Sequence, residues 1–294
     1  MKSSIGRRVF IAGNTVFISL LAIICIIPIW TMFCYSISSS AAVSSKLVSF
    51  WPVDMSSAAY QRVMQNSRFW QSILMTGRRI LFGVPLSMLL IVLAAYPLSK
   101  PETIFRARRI YVRIFIFAML FSGGLIPGYI VIIKLGLIDT LGALILPGAV
   151  PIFNVILMMN FFRSIPTEIE DAALIDGASQ WRVLRMIILP LSAPVLATVC
   201  LFVLLGHWNS WFDGLIYMNS PEKYPLQSYL QTIISDPTKM LQTMNLEELR
   251  LRMKVNNETL RAAQIFISMI PVLCVYPFMQ RYFTAGIVMG SVKG

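Results

Sequence analysis

Six long apolar runs constrain the fold of this chain more than any other feature. A helix needs about 20 mostly apolar residues to cross the hydrocarbon core of a bilayer, and backbone polar groups in lipid must pair within the segment. Because 57% of the residues are hydrophobic and 13% are charged, the chain falls outside the soluble globular class. We predict an all-α polytopic membrane protein, with one integral membrane domain over residues 1–294. Its spans lie roughly at residues 10–37, 80–98, 111–134, 140–162, 193–217 and 263–283.

The net charge of +12 follows this topology and does not form a single patch. With six spans, the basic residues at both termini and between alternate spans all fall on one side, which the positive-inside rule makes cytoplasmic. We therefore expect both termini in the cytoplasm and no nucleic-acid partner. The basic residues concerned are Lys2, Arg7, Arg8, Lys100, Arg106, Arg108, Arg109, Arg113, Arg163, Arg182, Arg185, Arg281 and Lys293.

A polar, acidic segment between the fourth and fifth spans, residues 163–190, contrasts with the apolar runs around it. Thr167 followed by Glu170 predicts a capping box, which would begin a short helix over residues 168–175. Gly177 predicts a turn, and Ser179 predicts the cap of a second short helix. Charge and capping alone are also typical of an ordinary amphipathic connector between two spans.

The same segment resembles the EAA loop of ABC importer permeases. Asp171-Ala172-Ala173, Gly177 and Ile187-Ile-Leu-Pro190 follow the order of that pattern, with Asp in place of its Glu. The resemblance implies a type I ABC importer permease fold, in which this cytoplasmic loop docks on a separate ATPase subunit. It assigns the ATPase-coupling role to Glu168, Glu170, Asp171, Ala172, Ala173 and Gly177.

Three further motifs are similar to the carbohydrate-type permeases, the relatives of the smaller maltose-importer permease. Residues 121–127, 208–213 and 224–227 look like the subgroup that imports complex oligosaccharides such as alginate and pectin fragments. The resemblance implies an importer of the bacterial cytoplasmic (inner) membrane that takes up oligosaccharides, including uronate-containing ones, by alternating access. Its partners would be a second homologous permease, two ABC ATPase subunits and an extracytoplasmic solute-binding protein.

Polar residues inside membrane spans are costly, and they commonly line an aqueous path. Such residues occur on the fourth and fifth spans beside aromatic side chains, which can stack on sugar rings. The alternative is that they join helices by hydrogen bonds, or sit at the membrane interface. The predicted substrate-path residues are Asn154, Asn160, His207, Trp208, Asn209 and Trp211.

Two segments are predicted outside the membrane, residues 38–79 and 218–262. The charged stretch Glu247–Arg252 has the spacing of a surface helix. It is either a solvated face or a docking surface for the solute-binding protein. Within the membrane, the third span is interrupted by Gly123, Gly124, Pro127 and Gly128, and the fourth by Pro147 and Pro151, as a hinge or as simple kinks.

The chain lacks the motifs of catalysis. It has no phosphate-binding Gly-x-x-x-x-Gly-Lys-Ser/Thr loop and no His-Glu-x-x-His motif, and its four cysteines lack metal-ligand spacing. We expect a non-catalytic subunit without metal or cofactor of its own, with ATP and Mg²⁺ bound by the ATPase partners. Two rivals remain open: an ion-coupled secondary transporter, and a membrane-embedded glycan or lipid enzyme using His207 and Asp213. The six-residue spacing of that pair predicts different helix faces, which disfavours the enzyme.

Overall fold

A computed structural model describes residues 5–235 and 257–291, and within these ranges every regular element is a helix. The predicted all-α class is therefore confirmed. The first helices are α1 (Ile5–Ile37), α2 (Ser40–Ser44), α3 (Ala58–Met64), α4 (Ser67–Ser99), α5 (Arg108–Leu120), α6 (Leu125–Lys134) and α7 (Leu141–Ile145). The others are α8 (Ile152–Ser164), α9 (Thr167–Ile175), α10 (Gln180–Val183), α11 (Leu189–Leu191), α12 (Ala193–Asn209), α13 (Phe212–Tyr217), α14 (Leu226–Ser235) and α15 (Asn257–Ser291).

The candidate spans include both single helices and bent pairs. Residues Val9–Ile37 of α1 and the whole of α4 are each long and apolar enough to cross a membrane. Three pairs of consecutive helices reach that length only together, and they bend by 113°, 47° and 83°. The first two pairs coincide with the predicted third and fourth spans, and the third pair ends in the predicted fifth span. The predicted sixth span, residues 263–283, lies within α15.

The helix α4 begins 13 residues before the predicted second span, so residues 67–79 of the predicted outside segment 38–79 are helical. Residues 67–79 include several charged and polar side chains, which lower the local hydropathy. The structure places Ser72, Thr76 and Arg79 in the buried face of the helix, where other protein elements cover them. Arg78 and Arg79 therefore belong to the helix and not to a loop.

Both apolar runs are interrupted, as predicted, although Pro127 and Gly128 lie within α6 and not in the break. Four residues separate α5 from α6, and Gly124 there has a φ of 87°, a left-handed conformation that favours glycine. A 3₁₀ turn, Leu146–Gly148, follows α7 and precedes the bend into α8. Whether these breaks act as hinges stays a prediction.

The predicted fifth span is not one helix over residues 193–217. The helix α12 ends at Asn209, Ser210 is extended with ψ 119°, and α13 begins at Phe212. On the other side, a π-helical turn, Leu184–Ile188, joins α10 to α11, and the chain bends by 83° before α12. The break at Ser210 changes which residues can meet, because it frees α13 from the helical spacing of α12.

The described residues form two compact units, one made of residues 5–67, 232–235 and 257–272, the other of residues 68–231 and 273–291. The first unit contains a small core around Cys34 and Val43. In the second unit, α4, α8, the π-helical turn and α12 meet in a core that includes Ile91, Met158, Ile188 and Val199. The single-domain organisation stays a prediction. The predicted surface helix Glu247–Arg252, within the predicted outside loop 218–262, lies outside the described residues.

Candidate functional site

The predicted coupling segment, residues 163–190, is called the coupling segment below. It contains α9 and α10, separated by a turn, and the π-helical turn that follows α10. Gly177 has a φ of 80°, and Ser179 caps α10, its hydroxyl accepting from the backbone N–H of Arg182 at 3.4 Å. Both of these predictions are confirmed. The turn requires Gly177 because its backbone is left-handed, and not because space is short: an added Cβ would meet nothing within 4 Å.

The predicted capping box at the start of α9 is wrong. Thr167 is the first helical residue, and the residue at the cap position is Pro166, with no side-chain cap bond. With Pro166 at the cap position, the residue three later is Ile169 and not a glutamate, and proline has no backbone N–H for a capping side chain to bind. The carboxylate of Glu170 instead forms an ion pair with Lys100, which lies just beyond the end of α4.

The end of α4, together with Lys100 just beyond it, binds both α9 and α10. Lys100 pairs with Glu170 of α9, and its ammonium lies 4.1 Å from the ring centroid of Tyr96. The Tyr96 hydroxyl donates to Oε1 of Gln180 in α10 at 2.8 Å. Tyr96 also packs edge-to-face on Phe162 of α8. One side chain from each of the two short helices therefore attaches the segment to the end of α4.

The predicted coupling residues divide into exposed and inward-facing ones. Glu168, Asp171, Ala172 and Gly177 are exposed, whereas Glu170 is partly buried and Ala173 packs against the core.

An exposed apolar strip of α9 was not predicted from the sequence. Ile169, Ala172 and Ile175 recur at three-residue spacing, and Ile175 is 86% exposed. That spacing was the available signal, since it places the three side chains on one side of a helix.

A second feature, which we call the cavity, lies between α4, α7, α8, α12 and α13. Its volume is about 280 Å³, just below the roughly 300–1,000 Å³ of typical small-molecule sites. The lining mixes polar groups with apolar and aromatic ones. These residues are Arg79, Ala143, Leu144, Pro147, Gly148, Pro151, Asn154, Phe202, Val203, Gly206, His207, Ser210, Asp213 and Tyr217.

Arg79 is the central polar residue of the cavity wall, and it is only 3% exposed. Its Nε donates to Nδ1 of His207 at 3.2 Å, and its two terminal nitrogens bind the two carboxylate oxygens of Asp213. Accepting at Nδ1 places the proton of the neutral imidazole on Nε2. A buried charge without a partner is costly, so the Asp213 carboxylate is what allows Arg79 to remain here.

Gly83 allows His207 to approach α4 closely. A Cβ on Gly83 would lie 2.7 Å from Nε2 and 2.8 Å from Cε1 of the imidazole. One turn of α4 therefore supplies both the arginine that binds His207 and the gap that its ring fills.

The expectation that His207 and Asp213 occupy separate faces is wrong. The break at Ser210 turns α13, so both side chains reach the same guanidinium. They bind Arg79 and not each other, which leaves no direct acid–base pair between them.

The cavity includes some predicted substrate-path residues and not others. Asn154 and His207 line it, together with Ser210, Asp213 and Tyr217. Asn160, Trp208, Asn209 and Trp211 do not line it, and all of these except the half-buried Trp208 are exposed. A path role for any of them stays a prediction. Arg79 was missed because the sequence analysis placed it outside the span.

Next to the cavity, Asp139 joins two connecting segments. Its side chain accepts from Nζ of Lys223 at 2.5 Å and from the backbone N–H of Asn219 and Ser220, at 3.1 and 3.3 Å. Its own N–H donates to the carbonyl of Tyr217, a cavity residue, at 2.8 Å. The Lys223 bond, more than the backbone bonds, holds the pKa of Asp139 below its usual value.

Comparison with known proteins gives concordant results. Residues 55–289 match the family described as binding-protein-dependent transport system inner membrane component. The polygalacturonan/rhamnogalacturonan transport system permease protein YtcP of Bacillus subtilis (strain 168) is 36% identical over 278 residues, covering 95% of this chain and 96% of that protein. Protein LplC of the same organism is 36% identical over 296 residues, covering 100% and 98%.

A solved structure resembles the whole fold. A chain from a bacterial ABC transporter involved in the import of the acidic polysaccharide alginate superposes with a TM-score of 0.87 at 37% identity. The match covers 96% of this chain and 99% of that one. The type I permease fold expected from the sequence is thereby confirmed.

Proposed function

This chain belongs to the family of binding-protein-dependent transport system inner membrane components, and we propose that it carries oligosaccharides, including uronate-containing ones, in an ABC importer. It is a multi-pass permease subunit of such an importer. The observation that carries the proposed cargo is the likeness, along nearly the whole chain, to permeases whose names specify acidic polysaccharides. Uptake would proceed by ATP-driven alternating access.

The partners follow from the family. We propose a second homologous permease, an extracytoplasmic solute-binding protein and two separate ATPase subunits, which bind ATP and Mg²⁺. The coupling segment faces the ATPase in the cytoplasm, together with both chain termini. Its exposed strip of Ile169, Ala172 and Ile175 is the apolar part of that contact, and Asp171 is the charged part. Close packing is favoured by the small side chain of Ala172.

The cavity is the proposed contact with the sugar. Polar groups from Asn154, Ser210 and Tyr217 can bond hydroxyls, and Tyr217 and Phe202 provide aromatic surface for a ring. Arg79 uses three of its five N–H donors on His207 and Asp213. The remaining two are available to a hydroxyl or carboxylate oxygen of the cargo.

The test is the ATPase activity of the complex reconstituted with its binding protein and offered a panel of oligosaccharides. The panel contains alginate and pectin fragments and neutral oligosaccharides of equal length. The variant Asp171→Lys with Gly177→Asp serves as the coupling control. We expect stimulation by an acidic fragment, and loss of that stimulation in the double variant.

Each alternative result removes one part of the proposal. Stimulation by neutral oligosaccharides alone would overturn the acidic cargo. Stimulation that survives the double variant would remove the coupling role of residues 163–190. Uptake that persists without any ATPase partner would favour the ion-coupled transporter.

A further inference from the structure

The helix α4 has contacts with functional residues at both of its ends. Near its start, the Thr76 hydroxyl accepts from the backbone N–H of Leu226 at 2.8 Å, and Arg79 binds Asp213 in the cavity wall. At its far end, Tyr96 and Lys100 hold the coupling segment. Arg79 and Tyr96 are 17 residues apart in one continuous helix, or about 26 Å along its axis.

The attachment at the far end is well shielded from water. The side chains of Lys100 and Glu170 are 8% and 17% exposed, and the Tyr96 ring covers the ammonium. An ion pair in such surroundings is screened far less by salt and water than one at the surface. Removing either partner leaves the other charge buried and unpaired.

A surface pair at the same end of α4 provides the contrast. Arg109 donates to Glu102 through Nε at 3.1 Å and through a terminal guanidinium nitrogen at 2.8 Å, but the two side chains are 63% and 43% exposed. Pairs of this kind contribute little. The Lys100–Glu170 pair therefore differs from an ordinary surface contact, because it is buried and because it joins the end of α4 to α9.

We propose that α4 carries the movement of the coupling segment to the cavity, with Lys100 and Tyr96 as the positioning residues that attach the segment to it. This proposal rests on the proposed function. In it, Glu170 binds Lys100 within the chain, while its exposed neighbour Asp171 contacts the ATPase. When α9 moves with the ATPase, Lys100–Glu170 and Tyr96–Gln180 pull the end of α4. The helix then shifts Arg79 relative to Asp213 and changes the cavity.

The experiment uses the complete importer in proteoliposomes, with permeases, ATPases and binding protein. For each variant it measures the ATPase retained on purification, and the sugar taken up per ATP hydrolysed. Lys100→Gln and Glu170→Gln break the pair, the charge exchange Lys100→Glu with Glu170→Lys rebuilds it, and Glu102→Gln is the matched surface control.

We expect both single variants to retain the ATPase, and uptake per ATP to fall at least about fivefold, the lower end of typical coupling between sites. The charge exchange should recover most of that loss, and the surface control should match the wild type. If the pair were only structural, its loss would lower the yield of purified importer without changing the amount of sugar taken up per ATP hydrolysed.

Three results would overturn the inference. One is an unchanged ratio in the single variants. Another is loss of the ATPase from Glu170→Gln, because Glu170 would then bind the partner. If neither single variant reaches the membrane, Tyr96→Phe replaces them, since it removes only the hydroxyl bond to Gln180. The third overturning result is then an unchanged uptake per ATP in Tyr96→Phe.

The proposed function fails in a different way. If no saccharide stimulates the wild-type importer, the cargo and this inference are both overturned. If the wild type is stimulated and the ratio of the variants is unchanged, only the role of α4 is removed.

Discussion

Arg79 binds Asp213 across 134 positions of the chain, through both terminal nitrogens of its guanidinium. The pair joins α4 to α13 in the wall of the cavity, and His207 of α12 accepts from the same guanidinium. Three helices are thus held together by one arginine. Because Asp213 neutralises Arg79, the pair adds no net charge to the cavity.

Removing both members of this pair should cost less than the sum of the two single losses. Arg79→Gln leaves Asp213 partly buried without its cation, and Asp213→Asn leaves a buried guanidinium. Each change should lower the free energy of unfolding by about 3–5 kcal/mol. The double variant should lose less than the sum, with a coupling energy of about 1–3 kcal/mol. Thermal unfolding of the purified chain in detergent would measure all four proteins, and additive losses would contradict a specific pair.

Gly83→Ala tests the close approach of His207. Alanine normally stabilises a helix interior by about 1 kcal/mol relative to glycine. Here the new Cβ would meet the imidazole at 2.7 Å, so the ring must move and lengthen its bond to Arg79. We expect a net loss of stability and reduced uptake.

The matched control for Gly83 lies in the same helix. A Cβ on Gly77 would meet nothing within 4 Å, so Gly77→Ala should raise the unfolding temperature and leave uptake unchanged. Equal effects of the two substitutions on unfolding temperature and uptake would show that His207 does not depend on the gap at Gly83.

Gly177→Ala tests the turn of the coupling segment. The backbone there has a φ of 80°, and an L-residue pays about 1–2 kcal/mol in this region. No neighbour lies near the added Cβ, so the cost is conformational and should displace α9 relative to α10. We expect lower uptake per ATP in the reconstituted importer.

Asparagine separates conformation from size at this position, because it visits the left-handed region more readily than alanine. Gly177→Asn should therefore retain more coupling than Gly177→Ala, although its side chain is larger. The opposite order would indicate that space at the ATPase contact, and not backbone conformation, requires the glycine.

Two local features of the segment 163–190 could be predicted from the sequence, whereas the long-range pairs could not. The Ser179 cap and the Gly177 turn depend on neighbouring residues, so their patterns predict them. The start of α4 was misplaced because its polar stripe, including Thr76 and Arg79, lowers hydropathy while facing other protein elements. The break at Ser210, which brings Asp213 to Arg79, was not predicted either, because the apolar run over residues 193–217 indicates one continuous helix.

Acid should destabilise the wild type through Asp139, whereas the Asp139→Asn variant has no carboxylate at this position to protonate. The pKa of Asp139 in the folded chain is lowered, chiefly by the Lys223 bond, so the ionised form is favoured by folding. Its contribution to stability is present above the ordinary carboxylate pKa of about 4 and is lost as the pH falls through the lower, folded value.

Asp139→Asn should be less stable than the wild type at pH 6, and the difference should shrink towards pH 3. Unfolding temperatures of both proteins in detergent, taken across that range, would measure this. A difference that stays constant from pH 6 to pH 3 would mean that the charge of Asp139 does not stabilise its bonds to Lys223 and residues 219–220.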